Sequence, residues 1–68
     1  MPPSMLHEID KIVMTAINTD HHDEVIAVGI KKLATMFPDH NNKERWHAML
    51  TARVQHEWKQ RNKQGGNK

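Results

Sequence analysis

At 68 residues the chain lies near the lower size limit for a self-sufficient fold, so one domain is the ceiling and no large ligand-enclosing interior is expected. It has no cysteine, which excludes disulfides and thiolate metal sites and leaves a partner subunit, in a reducing cytoplasm, as the expected supplement to a small core. The net charge of +2 conceals a dipole: residues 1–30 carry five acidic side chains against Lys11, whereas residues 31–68 carry nine Lys or Arg against Asp39, Glu44 and Glu57.

The first element is expected at residues 5–18. Ser4 is a suitable N-cap, and Met5, Leu6, Ile9, Ile12, Val13, Ala16 and Ile17 follow at spacings of three and four, the stripe of a helix facing a core. Asn18 and Thr19 break the pattern. Asp20 then offers a second N-cap, with Asp23 and Glu24 placed to favour the positive end of the next helix dipole.

A second helix is expected at 21–36. Its apolar residues Val25, Ile26, Val28, Ile30, Leu33, Met36 and Phe37 cover much of the circumference, which suggests a central element with neighbours on several sides. Gly29 weakens a helix interior by about 1 kcal/mol relative to alanine, so close approach of another backbone is the expected compensation. Pro38 disfavours helical geometry at Phe37 and stops the helix there.

Asn41 and Glu44 stand at capping-box spacing and open the longest pattern, residues 42–62, with Trp46, Met49, Leu50, Val54 and Trp58 as its stripe. The expected organisation is therefore a single helical domain over 1–63 with a disordered tail over 64–68; nothing alternates with period two, so no strand is expected. At about 1.5 Å per residue the third helix outreaches the other two, so its last turns, with Val54 and Trp58, are expected to overhang. A homodimer through this helix would cover them, with Ile30, Leu50, Val54 and Trp58 at the seam and Arg53, Glu57 and Arg61 as a ladder on the solvent side; the alternative is that the first helix folds back alongside the C-terminal half of the third helix and covers Trp58 within one chain.

Few residues suggest chemistry. Six histidines are an unusual share, yet no two stand four apart on one helix; His21, His22 and His40 were they to meet would be the best metal ligands, and no metal site is expected. Ser4 is the single serine and reads as a cap, tyrosine is absent, and the glycines form no phosphate loop, so neither catalytic residue nor cofactor is expected. Residues 1–4 have neither a basic segment nor a following apolar stretch of export type, and the longest apolar run, 25–30, is far below the roughly 18 residues of a membrane span.

What remains is recognition of another macromolecule. Aromatic and arginine anchors dominate binding where interfaces have been scanned, and Arg45, Trp46, Arg53, Trp58 and Arg61 are the candidates here. The expected role is a regulatory or inhibitory protein that lays a helix face on a partner protein, a type known among phage and plasmid accessory proteins. The alternative is a small basic regulator that binds DNA or RNA with Lys43, Arg45, Arg53, Lys59, Arg61, Lys63 and Lys68 of the third helix and its tail.

Overall fold

The computed structural model describes the backbone of residues 2–66 and the side chains of residues 2–61. Three α-helices, α1 (Pro3–Ile17), α2 (His22–Met36) and α3 (Lys43–Gly66), form an all-helical bundle in which each packs against the other two. A single 3-10 turn, Pro38–His40, joins α2 to α3, and no strand occurs among the described residues.

Local chemistry sets each boundary, in three places one or two residues from the expected position. Pro3 rather than Ser4 opens α1: its fixed φ suits the first helical position, and the carbonyl of Pro2 accepts from the amides of Met5 and Leu6 at 3.0 and 3.2 Å. Ser4 therefore lies inside the first turn. Asp20 does not cap α2 either. The Thr19 hydroxyl donates to the Ala16 carbonyl at 3.1 Å and accepts from the amide of His21 at 3.2 Å, which makes His21 the flanking residue and leaves Asp20 outside. At α3 the capping side chain is Asn42, not Asn41: its Oδ1 accepts from the Arg45 amide at 3.2 Å. Pro38 ends α2 at Met36 as its chemistry requires.

The core is one cluster, built from Met5, Ile9, Ile12, Val13, Ala16 and Ile17 of α1, Ile26, Ile30 and Leu33 of α2, and Trp46, Leu50 and Val54 of α3. The helix α2 is less central than its composition implies. Only the stripe Ile26, Gly29, Ile30 and Leu33 is buried, while Val28 and Met36 face outward. On α1 the exchange is sharper: Leu6 is exposed and Glu8 is buried, its carboxylate 3.5 Å from the Lys32 ammonium of α2 and 3.7 Å from Lys11. Gly29 is met at close range, by the side chain of Ile12 rather than by a backbone.

Two contacts fix how α1 lies on α3. Arg53 Nη1 donates to Asp10 Oδ1 at 2.7 Å and Arg61 Nη1 to Asn18 Oδ1 at 3.2 Å, both across the same sequence separation of 43, so the two helices run parallel. With that register α1 covers α3 as far as the level of residue 60. At the same level His22, the first residue of α2, lies against Trp58. Val54 is thus covered within one chain, contrary to the expected overhang, which begins only past Arg61. The reason is that α1 packs beside the C-terminal half of α3 instead of leaving it bare.

Of the expected tail, 64–66 complete the last turn of α3, and 67–68 lie outside the described residues.

Candidate docking surface

The two tryptophans of α3 have opposite environments. Trp46 is 3% exposed and belongs to the core cluster, so its ring is not available to a partner. Trp58 is 41% exposed. Twelve residues along, a helix turns by about 1,200°, or a third of a revolution beyond complete turns, which carries the second indole from the buried stripe towards its edge.

Three segments hold the surface around Trp58. The ring of His22 meets it edge to face, the centroids 6.2 Å apart and the planes at 66°. On one side Trp58 and Arg61 of α3 join Ile17, Asn18, Thr19 and Asp20 around a shallow concavity of about 270 Å³. On the other, Trp58 with Gln55, Lys59 and His22 borders a second one, of about 270 Å³. The α1–α2 corner is fixed by the Thr19 hydroxyl bonds described above and by Arg61, whose guanidinium donates to Asn18. Both concavities are open surface features rather than enclosed chambers.

Of the five residues expected to bind a partner, the structure brings Trp58 and Arg61 together. Arg53 lies two turns earlier on the same flank, half-buried and ion-paired with Asp10. This corrects the expected solvent-side ladder: Arg53 and Arg61 reach across to α1 instead of pairing along α3. Arg45 is exposed but belongs to the opposite end of the bundle, about 24 Å along the helix from Arg61, beside Met5, His40 and Asn42.

The expected dimer seam is divided in the same way. Ile30, Leu50 and Val54 are core residues of the single chain, Leu50 with 0% and Val54 with 1% of its surface exposed, so in this closed form they present nothing to a second copy. Their helices face inward because α1 closes over them. Only Trp58 of that set remains at the surface.

Sequence reasoning missed the part played by the α1–α2 corner. In the fold His22 begins α2 at the level of Trp58, and Asp20, Asp23 and Glu24 stand exposed beside it. His40 lies in the 3-10 turn at the other end of the bundle, so the three histidines do not converge; among the described residues no group of three or more His, Asp or Glu side chains forms a metal-holding arrangement. Among those residues, too, no helix is long and apolar enough to cross a membrane. The side chain of Lys63, and Lys68 altogether, lie outside the described residues.

Comparison with protein-family models, with curated proteins and with solved structures found no match.

Proposed function

We propose that this chain is a small non-enzymatic protein of regulatory or inhibitory type, which acts by docking the helical surface around Trp58 onto a partner protein. The observation that carries this reading is the exposure of Trp58 at 41%, in a chain that buries its other tryptophan to 3%. An indole held in place by a neighbouring ring and flanked by Lys59 and Arg61 has the composition of a binding anchor: large apolar area, little rotational freedom to lose, and charge at its rim. The proposal includes a cytoplasmic setting, a homodimer through the C-terminal half of α3, and the class of phage or plasmid accessory proteins.

Charge favours a protein over nucleic acid as the partner. A phosphate backbone requires a run of free cations, but Arg53 is neutralised by Asp10, and Asp20, Asp23 and Glu24 crowd the same end of the bundle as Lys59 and Arg61.

The test is an affinity capture from cell lysate with the tagged chain, run with and without nuclease at about 0.15 M salt. Discrete protein bands that persist after nuclease and are lost with Trp58→Ala are the expected result. Bands that disappear with nuclease, together with recovered DNA or RNA, would replace this reading by nucleic-acid binding through α3.

A further inference from the structure

Arg45 has no part in the surface around Trp58. It stands at the other end of the bundle, where Met5 of α1, His40 and Asn42 of the connection before α3, and Arg45, Trp46 and Met49 of α3 surround a concavity of about 380 Å³. Met5 and Trp46 are buried and close its floor, so the apolar side chain it offers is the half-buried Met49. The apolar surface continues outward. Leu6 is exposed one turn before Asp10, on the flank of α1 that meets α3, and the separation of 43 between bonded residues sets it level with Met49.

The rim is chemically uniform. The Arg45 guanidinium, the His40 ring and the Asn42 carboxamide all carry N–H donors, and Asn42 Oδ1 already accepts from the Arg45 amide. Neither the Arg45 guanidinium nor the His40 ring enters a side-chain hydrogen bond or ion pair among the described residues. Asp39 and Glu44 are exposed at this end but do not line the concavity. Elsewhere the signs are mixed: Asp20 and Arg61 share the lining beside Trp58, and Asp10, Arg53 and Glu57 share another between α1 and α3.

An occupant that suits this place brings an anionic acceptor next to an aliphatic group. A carboxylate matches the planar guanidinium fork, and a methionine side chain adapts to the shape of an aliphatic neighbour. Nucleic acid supplies anions without aliphatic groups, and its backbone calls for several cations where this rim holds one that is always charged. We propose that the concavity docks an acidic segment of a partner protein, a Glu or Asp carboxylate on Arg45 and the neighbouring aliphatic side chain on Met49 and Leu6. This is a second surface, about 24 Å along α3 from Arg61 and independent of the one around Trp58.

The experiment is a titration of the full chain, labelled with nitrogen-15 and followed by NMR at about 0.15 M salt, with three capped hexapeptides. These alternate leucine with glutamate, leucine with lysine, and serine with glutamate. The leucine–glutamate peptide is expected to shift the amides of Leu6, His40, Arg45 and Met49 saturably, and each of the others to bind at least about tenfold more weakly. Arg45→Glu should weaken the first peptide by more than about tenfold, whereas Lys59→Glu, the same change of net charge at the far end, should alter it by less than about twofold because salt screens that distance. Both side chains are exposed and the Arg45 amide keeps its Asn42 cap, so both variants are expected to fold, as circular dichroism checks. Equal weakening by the two variants, equal binding of either control peptide, or shifts gathered around Trp58 overturn the site. Absence of binding overturns it too, and leaves the Trp58 reading standing, because Trp58→Ala is expected to leave this titration unchanged.

Discussion

Gly29 of α2 faces Ile12 of α1 at a distance that leaves no room for a methyl group: a Cβ on Gly29 would lie 2.7 Å from Ile12 Cγ2 and 2.8 Å from its Cδ1. Ile12 is β-branched and held in a helix, so its rotamer cannot swing aside freely. Alanine would favour the helix by about 1 kcal/mol, but overpacking costs about 1–3 kcal/mol, so Gly29→Ala should destabilise the chain despite its better propensity. In a urea titration, the double variant with Ile12→Ala should lose less than the two single losses combined. A Gly29→Ala protein more stable than the wild type would show that the helices do not meet there.

The two asparagines before α3 should behave differently. Asn42→Ala removes the acceptor for the Arg45 amide and should cost about 0.5–2 kcal/mol, whereas Asn41→Ala should change little. Thermal denaturation of both variants decides between them, and equal losses would point to a shared cap.

Leu50 and Trp58 separate interior from surface. Leu50→Ala should cost about 2–5 kcal/mol, because it opens a cavity at a fully buried position. Trp58→Ala, at a partly exposed one, should cost clearly less in monomer stability while abolishing partner capture. Denaturation at two protein concentrations, one well below the dimer range, measures both; the interior placement of Leu50 fails if its loss vanishes on dilution.

His22 Nε2 is buried without a hydrogen-bond partner beside Trp58. Leaving such a group unpaired costs about 1–3 kcal/mol, so His22→Phe, which keeps the edge-to-face contact and drops the nitrogen, should be neutral or stabilising. His22→Ala should lose the ring contact and shift the Trp58 emission to the red. A marked loss of stability in the phenylalanine variant would mean that the imidazole nitrogen is satisfied.

The pair Arg53–Asp10 is short at 2.7 Å but open to water, with 40% and 60% of the two side chains exposed. A double-mutant cycle with Arg53→Ala and Asp10→Ala should therefore give a coupling of about 0.2–1 kcal/mol that shrinks in high salt. A coupling several times larger, or one indifferent to salt, would require a drier setting for the pair than its exposure allows.

Features written into consecutive residues were legible in the sequence. Pro38 stops α2 whatever surrounds it, and the spacing of Ile26, Ile30 and Leu33 defines a buried stripe. Gly29 announced a close approach, although not its source. The choice between neighbours was harder. Asn41 and Asn42 are chemically the same cap, and Leu6 and Glu8 exchange surface and interior because the seam passes Glu8, where Lys32 can meet its carboxylate. Helix periodicity says which residues share a face, but not which neighbour covers that face. The parallel placement of α1 on α3 took Val54 out of the expected interface and left Trp58 beside a corner far away in sequence. The candidate site arises from that placement, so only its residue types were legible beforehand.

That each of the three helices packs against the other two also governs how the molecule comes apart. The chain can form α1–α2 or α2–α3 as a local hairpin, but each hairpin leaves one inner stripe wet: Trp46, Leu50 and Val54 without α3 docked, or Ile9, Val13 and Ala16 without α1. Neither pair encloses a dry interior. The third helix therefore arrives as the step that closes the core, and loss of any one helix releases the other two. Backbone amides at the centres of all three helices accordingly share one opening free energy, the global one, rather than a ladder of partial openings.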